Sequence, residues 1–173
     1  MKIGWQRFNI YLALVLVAAG VCGCDTLGFT EYSGPISTLR LHLEVSRDST
    51  KDSVAAPVYR TKPVTVRVDK VPFATERNIK EAKVVDVVGG FALRLKFNQA
   101  GTALLEQVTV ANRGRRIAVW SQFGEQLKDG RWLGAPLINQ RISDGVLVLT
   151  TDTTREEAEV IALGLNNVGK KTD

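Results

Sequence analysis

The chain is poor in the side chains that carry most enzyme chemistry. Its 173 residues include one histidine, His42, and two cysteines, Cys22 and Cys24. Metal sites of the usual zinc type need three or four convergent ligands, which this inventory does not supply. A Ser-His-acid triad would have to use His42, and no serine stands in a Gly-x-Ser-x-Gly setting. Gly89-Gly90 is not followed by Gly-Lys-Ser/Thr, so no phosphate-cradling loop is present. The acidic residues Glu156, Glu157 and Glu159 sit where a helix begins, and Asp129 and Asp144 sit in turn dipeptides. Capping and the helix dipole account for the first set, so neither set reads as a glycosidase pair. No catalytic residue, metal or cofactor is expected.

Long apolar runs are also scarce. One occurs, Ile10 to Ala19, shorter than the roughly 20 residues of a membrane span. Lys2 and Arg7 precede it, and Val21-Cys22-Gly23-Cys24 follows. This order matches a secretory leader, and its end resembles the bacterial lipobox. The resemblance implies cleavage between Gly23 and Cys24, a diacylglyceryl thioether on Cys24 and acylation of its new amine. Asp25 resembles the signal that keeps some lipoproteins in the inner membrane. The expected location is therefore the periplasmic side of the bacterial envelope, with the inner membrane favoured over the outer.

Loss of residues 1–23 would remove Lys2 and Arg7, lowering the formal charge from +5 to +3. That balance gives little reason to expect nucleic acid as a partner. Only Cys24 would remain of the two thiols, so the fold must hold by apolar packing without a disulfide.

Residues 24–37 have no hydrophobic period and read as a flexible tether. From Leu39 the chain alternates as a half-buried strand, with His42 on its polar side as a surface residue. Ser46 to Ala56 reads as a loop and Pro57 to Asp69 as a strand. Thr75 opens a short helical stretch carrying Ile79 and Ala82 inward. Gly89-Gly90 joins a hairpin. Asn98 caps a helix reaching about Arg113, with Leu104, Leu105, Val108 and Ala111 on its buried stripe. Gly114 is its left-handed stop. Arg115 to Phe123 is a strand, Gly124 to Gly134 a turn or loop, and Ala135 to Arg141 and Val146 to Thr150 are short strands. Thr154-x-x-Glu157 is a capping box for a last helix ending at Asn166 and Asn167. The pattern is α+β, an antiparallel sheet with two main helices packed on one face; residues 38–168 form the domain and 169–173 a polar tail.

Several segments, taken in order, resemble the base of the first periplasmic domain of SecD, a subunit of the bacterial translocase. They are Asn78-Ile79-Lys80-Glu81-Ala82, Leu95-Lys96-Phe97-Asn98, Gly114-Arg115-Arg116-Ile117-Ala118, Ala135-Pro136-Leu137-Ile138 and Thr154 to Ala158. The resemblance implies a ferredoxin-like domain outside the cytoplasmic membrane. It carries over neither SecD's membrane helices nor the head subdomain, which would have to fit between Ser46 and Pro63.

Two sequence features suggest a binding surface. Arg113, Arg115 and Arg116 surround Gly114, where they can serve the helix end or a partner. Trp132, beside Arg131, can close a sheet edge or act as an aromatic anchor. The reading reached is a lipid-anchored, non-catalytic module that binds a protein, such as a translocase component, and the membrane through Cys24. The alternative is binding or hydrolysis of a small molecule or cell-wall glycan.

Overall fold

The computed structural model describes residues 34–46, 52–58 and 63–169. The leader, the Gly23–Cys24 cleavage site, the lipid-bearing Cys24, residues 24–33 of the tether and 170–173 of the tail lie outside the described residues. In chain order the strands are β1 Thr38–Leu43, β2 Ser53–Val58, β3 Val64–Asp69, β4 Ala74–Thr75, β5 Ile79–Val87 and β6 Gly90–Phe97. Helix α1 Gln99–Ala111 follows, then β7 Ile117–Phe123, β8 Asp129–Gly134, β9 Val146–Leu149 and helix α2 Arg155–Gly169.

All pairings are antiparallel, and the strands fall into three sets: β4-β1-β7-β8, β5-β6-β9 and the hairpin β2-β3. The α+β class is as expected, with the strands divided among three sets. One core joins the two larger sets and both helices. Leu39 and Leu41 of β1 meet Leu93 and Leu95 of β6, Leu105 of α1, Val119 of β7 and Ile161 and Leu165 of α2, all fully buried. Burial of each such side chain contributes about 1.5–3 kcal/mol.

The helix ends follow their sequence signals. The Asn98 side chain accepts from the Gly101 amide at 2.9 Å. Thr154 and Glu157 satisfy each other's amides, at 2.9 and 3.2 Å. The second helix nevertheless continues past its two asparagines. Asn166 uses its amide as a strand would, accepting from the Ala82 N–H at 2.8 Å and donating to the Ala82 carbonyl at 2.9 Å. This covers the outer edge of β5, whose backbone groups would otherwise need another partner. Asn167 donates to the Pro35 carbonyl at 2.8 Å.

The expected tether is shorter than its composition implies. Ser37 is buried against α2, at Gly164, where a Cβ would lie 2.6 Å from the Ser37 nitrogen. Glycine at that position lets the strand-entry segment lie directly on the helix.

Five local expectations fail, the first three because pairing with another strand outweighs local propensity. Thr75 opens only a single tight turn, in which the Asn78 side chain accepts from the Thr75 amide at 2.9 Å. The chain then extends as β5, so Ile79 and Ala82 are buried from a strand. Ser53 to Ala56, expected in a loop, pairs with β3. Residues 129–134, expected in a loop, form β8; Gly130 is no turn residue but lies beneath Trp120, where a Cβ would be 3.0 Å from Cζ2. Ala135 to Arg141 is not a strand beyond one bridge, Arg116 to Leu137. On α1 the buried line is Gly101, Leu105 and Thr109, and Ala111 faces solvent. Thr109 tolerates burial because its hydroxyl donates to Leu105 O at 2.8 Å and accepts from Ile142 N at 3.0 Å.

Candidate interaction surface

The outer face of the four-stranded sheet is covered by the β2-β3 hairpin. Past β1 the chain leaves that sheet and pairs with β3: Val45 donates to Arg67 O at 2.9 Å. Ala56, Val66 and Val68 of the hairpin then pack on Ala118, with Trp132 filling the space beside these small side chains. Trp132 lies edge-on to both Trp120 and His42, each with ring centroids 5.3 Å away. It therefore closes a second, smaller core and is only partly exposed. Its position opposite Trp120 on β8 replaces the expected loop.

His42 belongs to the same layer. It is 7% exposed, not a surface residue, and its Nδ1 lies 2.8 Å from the Asp69 carbonyl. Burial is the main cause that pushes its pKa below the usual imidazole value, with the Arg40 charge adding to it; the Asp69 carbonyl contact opposes.

The arginine corner divides. Arg113 and Arg115 are exposed, and Arg113 donates to Asn139 O at 3.1 Å instead of to the helix end. Gly114 adopts φ +84°, as its role as a stop requires, though α1 already ends at Ala111. Arg116 is held in place. Its amide donates to Glu44 Oε2 at 2.8 Å and its Nη1 to Ala135 O at 2.9 Å. The structure thus brings the three arginines to one corner and leaves Trp132 behind the hairpin.

Arg116 lines a cleft of about 170 Å³ with Val58, Val64, Ala135, Pro136 and Leu149. A wider cleft of about 660 Å³ shares Pro136 and runs between residues 137–144 and β9. Three large apolar side chains stand open along this pair: Val64 at 40%, Leu137 at 44% and Val148 at 48%. β9 is an edge strand, bonded to β6 on one side. Among the described residues Asp144 is the only carboxylate lining either cleft, and it accepts from Val146 N at 3.1 Å as a turn residue. Glu157 is likewise occupied by the Thr154 amide and by Arg131. Among the described residues lining these clefts no pair of acids converges as a hydrolytic reading would need. Among the described residues no group of three or more His, Cys, Asp or Glu is placed to hold a metal.

Val64, Leu137 and Val148 were not singled out by sequence. Each looks like an ordinary strand residue until the irregular path of 135–144 leaves it uncovered.

A family model described as SecDF, P1 head subdomain, matches residues 52–168. Protein translocase subunit SecDF of Thermus thermophilus is 34% identical over 97 residues, which are 56% of this chain and 12% of that protein. SecD of Acidaminococcus fermentans is 31% identical over 94 residues, 54% of this chain and 21% of its own. The chain thus spans between about an eighth and a fifth of the length of these relatives. A solved structure of SecDF, described as a membrane component that enhances protein export, shares the fold. Its TM-score is 0.53 at 22% identity, covering 77% of this chain and 63% of that one. SecDF in a super-membrane-facing form gives 0.52 at 23% identity, covering 77% of this chain and 19% of that one. The likeness to a SecD periplasmic domain is therefore met, on a model described as the head where the sequence resemblance pointed to the base. The matched span begins just before β2, within the Ser46 to Pro63 stretch where the sequence resemblance carries over no head, and runs into α2.

Proposed function

Because the chain belongs to the family of the SecDF P1 head subdomain, we propose that it is a non-catalytic, protein-binding accessory of bacterial protein export. In this reading a lipid on Cys24 holds the domain on the periplasmic side of the inner membrane. Among the described residues no helix is long and apolar enough to cross a membrane. Two or more acyl chains give stable attachment where one gives marginal attachment.

The observation that carries the binding reading is the open apolar line of Val64, Leu137 and Val148 across two joined clefts. An extended segment of another protein can pair its backbone with the free side of β9, placing alternate side chains over Leu137 and Val148. Arg116, fixed at the neighbouring cleft, and Arg113 and Arg115 at the corner supply a cationic rim. Trp132 has a supporting part, holding the hairpin that carries Val64. The membrane-export relatives support the partner class: a translocase subunit or a polypeptide in transit.

A photoreactive amino acid at Leu137, tested in intact cells, examines this directly. Irradiation is expected to give adducts with a translocase component or an exported chain. The same probe at Val110, exposed on α1, should give neither. Equal adduct patterns from the two positions would refute the assignment of the clefts.

A further inference from the structure

We propose that the end of the domain reached by the tether is a docking face for an anionic phospholipid surface, an inference resting on the reading of Cys24 as a lipid anchor. The chain enters the domain beside the second half of α2, through Pro35 on Asn167 and Ser37 on Gly164. The last described residue, Gly169, lies at the same end, where a Cβ would be 3.5 Å from Ile79 O. A cleft of about 700 Å³ opens here, lined by Arg77, Lys80, Glu81, Leu163 and Asn166 among others.

The charged residues lining this cleft are Arg77, Lys80 and Glu81, and the exposed Glu159 stands one turn before Leu163 on α2. Glu81 pairs with Lys83 at 2.6 Å and Arg94 at 3.7 Å, and the Lys96 charge, opposite it in register, also acts on it. Arg77 and Lys80 line the cleft itself, so cations outnumber the carboxylate at this end of the domain. Glu76, next along the chain, is already used, accepting from the Leu39 amide at 3.1 Å. Lys83 and Arg94 stand directly opposite each other across β5 and β6. Like charges at such a pair destabilise a sheet, and Glu81, bridging both, offsets that repulsion here. Apolar side chains border the patch: Leu163 lines the cleft, and Ile36 follows Pro35 where the chain meets α2. Cations with adjacent exposed aliphatic groups fit a headgroup layer with its acyl boundary.

The tether adds the geometric condition. Ten residues, 24–33, separate Cys24 from the domain, and a segment of that length reaches at most about 35 Å. An anchored domain would therefore stay close enough to meet the surface, and attraction acts within about 8 Å at physiological salt.

The test uses the full lipoprotein purified from cells and carrying Leu163→Cys with a polarity-sensitive dye. It is reconstituted on vesicles of phosphatidylcholine alone or mixed with phosphatidylglycerol. The expected result is a blue shift and loss of acrylamide quenching only with phosphatidylglycerol. High salt should reverse both, as should Arg77→Glu, Lys80→Glu and Lys96→Glu combined, with the variant's circular dichroism unchanged. Should the triple variant misfold, the salt and lipid comparisons still decide. Retention on both vesicles with identical dye signals would overturn docking and leave the anchor standing. Release from both vesicle types would overturn the anchor reading and docking with it. A signal that appears only on adding another protein would assign this face to that protein and overturn the lipid proposal.

Discussion

His42 shows how much one residue's setting changes its meaning. On the alternating strand it belongs to the polar side, yet that side is roofed by the hairpin. The groups around it are Arg40 on its own strand, Asp69 at the end of β3, and the rings of Trp132 and, beyond it, Trp120. Its folded pKa is lowered, chiefly by burial, from an unfolded value near 6.5. Above that value both states are neutral and His42 adds no pH dependence. As the pH falls through it, the unfolded chain binds a proton that the folded chain resists. Stability is then lost until the folded pKa is passed. Urea unfolding of the wild type and His42→Gln between about pH 7.5 and 5 checks this linkage. The wild type should lose more stability over that interval than the variant; parallel curves would show that burial of His42 has no titration consequence.

At the scale of elements, the hairpin of β2 and β3 is the part least evident from sequence. Its strands are short, one is alanine-rich, and their pairing is satisfied by each other and by Trp132 below. A period-two scan finds Val64, Val66 and Val68 but has no means of assigning Ala56, whose small side chain is buried in the second core with Ala118. The large elements were legible because local and tertiary signals agree: Gly89 in the turn between β5 and β6, with Gly90 opening β6, Asn98 before α1, and the Thr154 box before α2. Where they conflict, as at Ile79 or Trp132, pairing with a distant strand decides. The candidate site was legible only at Arg113, Arg115 and Arg116, since its apolar part arises from an irregular crossing that no period marks. Trp132→Ala should therefore cost about 2–4 kcal/mol, a little below a fully buried tryptophan. Hydrogen exchange should quicken in β2 and β3 before it quickens in β1 and β7. Equal acceleration across all four strands would contradict the hairpin's separate small core.

At the scale of the molecule, the parts form a consistent device. One core joins two sheets and two helices into the scaffold. The open apolar clefts lie along β9, whereas the tether meets the scaffold on α2, beside the start of β5. In the proposed arrangement the lipid and the basic face hold the domain to the membrane, and the clefts meet a protein in export. This links the family likeness to a role without requiring any catalytic group. The direct test is export itself, by pulse-chase measurement of signal-peptide processing in cells lacking the gene. Processing of exported proteins should slow on deletion, recover with the wild-type chain and fail to recover with Leu137→Asp or Cys24→Ala. Unchanged processing on deletion, or full recovery with both variants, would contradict the account.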